Sequence, residues 1–203
     1  MDDLDTELDA LLSALALKDE RRTGWQLRGI DDPETVASHA WGVAYLCLLF
    51  ADRAGVDPDR AVRLAVLHDL AEAKTGDVAT RADPTADQPD PERKERRERE
   101  AIAELLGPFE SEDALRADWE EYEARSSPEA RFVKDMDLID MCLQALYYER
   151  EGRYDPAVDQ PAFDEYDRLD EFFATAEPRV RTDVGRALFE AIRERYERAR
   201  EQR

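Results

Sequence analysis

Apolar residues recur three or four positions apart along most of this chain, which is the spacing of one buried face of an α-helix. The first such stripe comprises Leu4, Leu8, Leu11, Leu12 and Leu15. The stretch from 21 to 25 that follows it contains arginines and a glycine, and is typical of a turn. No segment alternates between apolar and polar residues over the length of a strand. The pattern therefore predicts an all-α protein.

Prolines, glycines and capping residues mark the ends of the later helices. Asp57 is a typical N-cap, and Pro58 suits the first helical position after it. Gly55 and Gly107 follow apolar runs and are suited to end helices. Six further helices are predicted from such signals, over about 33–53, 57–69, 90–107, 127–149, 162–175 and 179–200. A loop with three prolines is expected from 82 to 91.

The size and charge of the chain limit the classes of function. With 203 residues, of which 42% are hydrophobic, it suits one domain with a substantial core. Its net charge of −21 argues against general nucleic-acid binding, which requires a basic face. The longest apolar stretch, Val43 to Ala51, is too short to cross a bilayer, and the acidic start is unlike a signal peptide. We therefore expect a cytoplasmic protein that contacts neither nucleic-acid polymers nor membranes.

The basic residues are strongly biased toward arginine. Lysine occurs at four positions, which leaves 25 of the 29 basic residues as arginine; the lysines are Lys18, Lys74, Lys94 and Lys134. An acidic chain that is poor in lysine is typical of a halophilic protein, because a Debye length of about 3 Å at 1 M salt suppresses self-repulsion. The alternative is an ordinary acidic protein of the cytosol.

The chain has only two histidines, and both lie in apolar helical runs near carboxylates. His39 lies inside one predicted helix, and His68 precedes Asp69 at the end of the next. Imidazole is the commonest nitrogen ligand of metals in proteins, and a neighbouring Asp supplies an oxygen. Glu72 shares a face with His68 if the helix continues that far, and Asp77 follows in a turn. A lone histidine is more often a core residue, but the joint pattern favours a metal site.

A later helix places two acids on an apolar stripe. Val133, Met136 and Met141 share this stripe with Asp137 and Asp140. Burying an acid is costly unless it is paired, hydrogen-bonded or bound to a metal. Both aspartates are therefore candidate ligands, and the periodicity does not choose between them.

Several segments together resemble the HD-domain phosphohydrolase superfamily, whose signature is H…HD…D on a helical bundle around one or two metal ions. Within it, the segments are similar to those of the 5′-deoxynucleotidases. They are RTGW at 22–25, ETVASH at 34–39, LHDLAE at 67–72, TGD at 75–77 and FVKDMD at 132–137. The similarity extends from about residue 18 to 175 and includes the WEEY segment at 119–122.

The resemblance implies a single HD-domain helical bundle over 1–203, with a core from about 18 to 175 and flanking terminal helices. It makes the metal ligands His39, His68, Asp69 and Asp137, and so favours Asp137 over Asp140. Two nitrogens and two oxygens suit a divalent Mn, Co, Fe, Ni or Zn ion, and four protein ligands leave room for water and a phosphate oxygen.

The resemblance also assigns roles around the metal. Glu72 matches the general acid or base of the family, and Asp77 matches a residue that contacts the sugar and acts with it. Trp25 matches an aromatic residue beside the substrate, and Thr80 is assigned to substrate binding with it.

One position departs from the bacterial branch of the family. There an Arg that orients the phosphate directly precedes the Trp, whereas Gly24 does so here. Arg22 is the nearest replacement, as in the eukaryote-like branch, and is expected to bind the phosphate. The alternative for Arg22 is a surface arginine in a turn.

The implied function is metal-dependent release of phosphate from deoxyribonucleoside 5′-monophosphates by a homodimer. One alternative is another HD hydrolase or phosphodiesterase that acts on a cyclic nucleotide or an alarmone. The other is a helical binding module without turnover, which loss of a ligand or of Glu72 would favour. All of these residues are present.

Overall fold

A computed structural model describes residues 2–82, 90–154 and 166–202 of the protein. Ten α-helices and no β-strand occur in these ranges, so the all-α prediction is confirmed. In chain order the helices are α1 (Asp2–Ala14), α2 (Thr23–Leu27), α3 (Val36–Ala54), α4 (Pro58–Leu67), α5 (Glu72–Thr75), α6 (Pro91–Leu106), α7 (Glu112–Ala124), α8 (Pro128–Glu151), α9 (Asp170–Ala176) and α10 (Asp183–Glu201). A 3-10 turn over Leu15–Lys18 extends α1.

The central element is α8, which packs against α3, α4, α7, α9 and α10. Most of its apolar residues are buried, as expected of an element with several packed neighbours. Phe132, Met136 and Ile139 are completely buried in the main core. The buried residues of the same helix include the acids Asp135 and Asp137. This burial places acidic groups of α8 opposite α3 and α10.

Capping groups fix the helix ends that the sequence predicts. The carboxylate of Asp57 accepts hydrogen bonds from the first turn of α4, and Pro58 occupies its first position. The Ser127 hydroxyl accepts the Ala130 N–H at 3.0 Å to start α8. Gly55 ends α3 with φ +70°, a left-handed conformation that glycine adopts without strain.

The predicted boundaries differ from the structure in three places. The expected turn at 21–25 contains α2 instead. The helix α7 was not predicted, although Leu115, Trp119 and Tyr122 are spaced as one helical face. The helix expected at 162–175 begins only at Asp170 among the described residues, and positions 162–165 lie outside them. Most of the expected loop at 82–91 also lies outside the described residues.

The helix that carries His68 does not continue to Glu72. It ends at Leu67, and residues 68–71 form a turn before the four-residue helix α5 begins at Glu72. The condition for a shared helical face of His68 and Glu72 is therefore not met. Both side chains nevertheless line one cavity.

The leucine stripe of α1 is exposed. Its five leucines are between 46% and 65% accessible, so the predicted helix is present but its apolar face is uncovered by the described chain. None of the helices in the described ranges combines the length and hydropathy needed to cross a membrane.

Candidate metal centre

The two histidines of the chain meet in the interior. His39 extends from α3 and His68 from the end of α4, and their ring centres lie 5.3 Å apart. The two Nε2 atoms face each other at 3.4 Å. Both side chains are buried, so neither imidazole is oriented by solvent.

The other nitrogen of each ring is held by an oxygen. His39 Nδ1 lies 2.8 Å from Oδ2 of Asp140, and His68 Nδ1 lies 2.7 Å from the backbone carbonyl oxygen of Ala65. Metal-ligating histidines usually donate their other N–H in this manner, which leaves Nε2 to bind the ion. Gly42 makes room for Asp140, because a Cβ there would lie 2.1 Å from Oδ1 of that residue.

Two carboxylates face the paired Nε2 atoms. Oδ1 of Asp137 lies 3.1 Å from Nε2 of His39, and Oδ2 of Asp69 lies 3.0 Å from Nε2 of His68. Oδ2 of Asp69 is also 3.7 Å from His39 Nε2, and it is buried without a hydrogen-bond partner. His39, His68 and Asp69 each place a ligand atom within 4.8 Å of the others, a grouping that could hold a metal ion. Asp137 lies next to this group through its contact with His39, and two nitrogens with two carboxylate oxygens are a donor set that suits a divalent cation.

The electrostatics of the cluster depend on opposite charges. Burial lowers the pKa of His39, but the carboxylates of Asp137 and Asp140 outweigh it and raise this pKa to about 10. Burial would raise the pKa of Asp69, yet His68 and His39 hold it well below its usual range. The acids therefore remain ionised, which is the form that binds metal ions.

The two candidate aspartates of α8 have different partners. Asp137 faces the Nε2 side of His39, whereas Asp140 faces the Nδ1 side. The second oxygen of Asp137, Oδ2, accepts hydrogen bonds from the Lys134 ammonium at 2.6 Å and the Tyr122 hydroxyl at 3.1 Å. Burial raises the pKa of Asp137, but Lys134 and His39 outweigh burial and hold this pKa well below its usual range.

Glu72 lies beside this cluster with an oxygen available. Its Oε2 is buried and has no hydrogen-bond partner. Burial and the charges of Asp69 and Asp77 raise the pKa of Glu72 well above its usual range. Carboxyl groups whose pKa is raised by burial and by neighbouring acids are the kind that enzymes use as general acids or bases.

Arg22 points into the site and is not a surface arginine. Its NH1 donates to Oδ1 of Asp77 at 3.1 Å and lies 3.5 Å from Oδ2 of Asp69. The backbone N–H of Thr23 donates to Asp77 Oδ2 at 2.6 Å, which joins the loop after α5 to the start of α2. The structure thus places Arg22 beside the candidate metal ligands, and its expected role in binding the phosphate stays a prediction.

A cavity of about 310 Å³ opens over these residues. Trp25 lines it and stacks on Phe172 at 3.9 Å between ring centres, while its indole N–H donates to Glu34 at 2.9 Å. Thr80 also lines the cavity but is exposed, which places it at the rim. The size is within the range of small-molecule sites. Every predicted site residue except His39, which lies behind the wall, lines this cavity.

Sequence reasoning missed several polar residues of the cavity wall. Four of them are cations, which suits an anionic ligand; they are Lys94, Arg125, Lys134 and Arg179. Tyr122, which touches both Asp137 and the ring of His68, was also missed. The rarity of lysine was a usable signal, because two of the four lysines line this cavity.

A family model for the HD domain matches residues 14–175, and these include both histidines and all three candidate aspartates. This chain belongs to the HD-domain family. The 5′-deoxynucleotidase HDDC2 of Danio rerio is 37% identical to this HD-domain protein over 189 residues, which cover 91% of the chain and 84% of that relative. The protein of the same name from Homo sapiens is 42% identical over 135 residues, which cover 66% of the chain and 63% of that relative.

Solved structures share the fold. The PH0347 protein of Pyrococcus horikoshii OT3 superposes with a TM-score of 0.69 at 28% identity, covering 94% of this HD-domain protein and 98% of that structure. A protein of Magnetospirillum magnetotacticum MS-1 described as a predicted metal-dependent phosphohydrolase gives a TM-score of 0.68 at 25% identity, with coverage of 97% of this chain and 93% of that structure. The family resemblance inferred from the sequence segments is thus confirmed.

Proposed function

We propose that this protein is a metal-dependent 5′-deoxynucleotidase, which hydrolyses deoxyribonucleoside 5′-monophosphates to nucleosides and phosphate. The observation that carries the proposal is the pair of Nε2 atoms, 3.4 Å apart, that faces two carboxylates at the wall of a cavity lined by five cationic and six acidic side chains. Relatives named 5′-deoxynucleotidase, at 37% and 42% identity, support the substrate class.

In this proposal His39, His68, Asp69 and Asp137 hold one divalent cation. When bound, the cation would act as a Lewis acid, which would make a water molecule more acidic and offset charge on the phosphoryl oxygens. The donor set suits Mn, Co, Fe, Ni or Zn.

The remaining residues position the substrate and move protons. Glu72 accepts a proton from the attacking water and returns one to the leaving oxygen, and Asp77 supports it. Arg22 neutralises the phosphate, and its two contacts with Asp77 and Asp69 fix the guanidinium for that task. Asp77 contacts the sugar, and Trp25 and Thr80 bind the nucleoside at the wall and the rim of the cavity.

The first experiment measures phosphate release from a panel of deoxy- and ribonucleoside 5′-monophosphates with Mn, Co or EDTA. We expect metal-dependent release from the deoxy series, lost in the double variant His68→Ala/Asp69→Ala. Glu72→Gln should bind the metal as the wild type does and lose about 100-fold or more in kcat. Absence of release from every monophosphate would refute the proposal, and cyclic nucleotides and alarmones would then be tested as substrates.

We also infer a homodimer, which the family resemblance implies. One surface suited to a second copy is formed by Trp41, Tyr45 and Leu48 of α3 with Tyr147 of α8. Trp41 is 70% exposed and stacks on Tyr45, so a rigid aromatic surface is open to solvent. Trp41→Glu should yield a monomer in light scattering, while Leu12→Glu on the exposed face of α1 should not. A monomeric wild type would exclude the dimer.

The cellular setting completes the proposal. We infer a single HD domain, which the family match over residues 14–175 supports. We also infer a halophilic, cytoplasmic protein that binds neither nucleic-acid polymers nor membranes; the charge of −21 supports the adaptation to salt and argues against a nucleic-acid partner. Activity and cooperative folding should persist at molar KCl and weaken at low salt. An activity optimum at low salt, with cooperative unfolding retained there, would contradict the halophilic assignment.

A further inference from the structure

The two oxygens of Asp137 have different environments. Oδ1 faces Nε2 of His39 at 3.1 Å, whereas Oδ2 is already engaged by the Lys134 ammonium at 2.6 Å and the Tyr122 hydroxyl at 3.1 Å. These two donors come from different helices, α8 and α7, and approach the same atom. A carboxylate that is held at one oxygen by an ammonium offers only its other oxygen to an ion, and the charge of the ammonium also repels a cation bound there.

Lysine at this position is unusual for this chain. Arginine supplies 25 of the 29 basic residues, yet the contact with Asp137 is made by one of four lysines. An ammonium is a compact point charge with three donors, whereas a guanidinium is a planar fork that tends to bind both oxygens of a carboxylate. The choice of lysine therefore matches a contact with one oxygen alone.

We propose that Lys134, assisted by Tyr122, is a positioning residue that keeps Oδ2 of Asp137 away from the metal ion and lowers the affinity of the site for it. The inference rests on the metal site of the proposed function. In this inference Lys134 weakens metal binding. In return, Oδ2 of Asp137 does not occupy a ligand position that water or a phosphate oxygen requires. The inference predicts that loss of Lys134 improves one property and impairs another: metal binding should become tighter, and turnover should become slower.

The test titrates Mn into the metal-free protein and measures its affinity by isothermal titration calorimetry. Steady-state kinetics are measured on the same variants. Lys134→Met should bind Mn at least about tenfold more tightly, since even in water a unit charge acts on a nearby divalent ion with about that effect. Its kcat should fall more than its KM changes. Lys134→Arg, which keeps the charge but tends to engage both oxygens of Asp137, should not bind Mn more tightly than the wild type.

Two further variants separate a local effect from a general one. Lys74→Met removes the same charge from a 2.5 Å ion pair with Glu104, neither of which lines the cavity, and should change neither the Mn affinity nor kcat. Tyr122→Phe removes a neutral donor from the same oxygen and should tighten binding by a smaller factor. Weaker or unchanged Mn binding in Lys134→Met would overturn the inference. A wild type that binds no Mn at all would instead refute the proposed metal site.

Discussion

Two aspartates that lie two residues apart on α8 are both buried, yet they have different kinds of partner. Asp135 accepts hydrogen bonds from the backbone N–H groups of Arg181 and Thr182, at 2.9 and 2.6 Å, and from the Thr182 hydroxyl at 2.6 Å. These donors precede α10, so the carboxylate fixes the start of that helix. Its hydrogen bonds are satisfied within the fold.

Asp137 instead faces charged side chains. Its partners are the imidazole of His39 and the ammonium of Lys134, and a neighbouring carboxylate oxygen on Asp69 has no hydrogen-bond partner. Burial of an acid therefore does not by itself mark a functional residue. Fixed backbone donors indicate a structural role, whereas titratable partners beside an unsatisfied atom indicate a site for a ligand.

Replacement of Asp137 should have the largest effect on function. We expect Asp137→Asn to lose about 1000-fold or more in kcat/KM, because one charged ligand of the proposed ion is removed. The wild type should gain thermal stability when Mn is added, and the variant should gain little, since only a state that binds the ion is stabilised. Circular dichroism checks that the variant is folded. Retained activity at the wild-type level would exclude Asp137 as a ligand.

Replacement of Asp135 should instead affect stability. Asp135→Ala leaves the N–H groups before α10 without acceptors inside the protein, which should lower the free energy of unfolding by about 3 kcal/mol. Urea denaturation measures this change. The affinity of the folded variant for Mn should equal that of the wild type. A variant as stable as the wild type but impaired in Mn binding would reverse the roles assigned to the two aspartates.

The sequence predicted much of this fold because its strongest signals are local. The helix ends at Asp57, at Ser127 and at the glycine after α3 agree with the structure, since each of these residues acts within one helical turn. The helix α7 was missed because its charged residues hide a stripe of only three large apolar side chains. The helix break after Leu67 has no proline or glycine to mark it.

The candidate site was predicted as a set of residues but not as a geometry. Periodicity placed Asp137 and Asp140 on one stripe, and only tertiary packing assigns them to opposite nitrogens of His39. Asp135 was overlooked, because its donors come from residues more than forty positions away. Such contacts depend on how helices pack, which local patterns do not specify.

Asp140 allows a finer test of the site, because it contacts Nδ1 of His39 and not the Nε2 atom that is proposed to bind the ion. Asp140→Asn should lower the affinity for Mn by about 10- to 100-fold, the usual effect of losing the partner that orients a ligating histidine. Calorimetric titration measures the affinity, and the unfolding transition should remain cooperative. An unchanged affinity would show that Asp140 only fills space beside Gly42.

Two glycines extend the comparison to packing, with the smallest expected effects. A Cβ on Gly42 would lie 2.1 Å from Oδ1 of Asp140, and one on Gly185 would lie 2.5 Å from Oδ2 of Asp135. Gly42→Ala should therefore displace Asp140 and lower Mn affinity by about tenfold. Gly185→Ala should lower the free energy of unfolding by about 1–2 kcal/mol and leave Mn affinity unchanged. Titration and urea denaturation of both variants provide the crossed measurement. Only a carboxylate that orients a metal ligand transmits its own displacement to the ion. If both variants lose the same stability and do not differ in Mn affinity, the two aspartates have the same packing role and Asp140 does not orient His39.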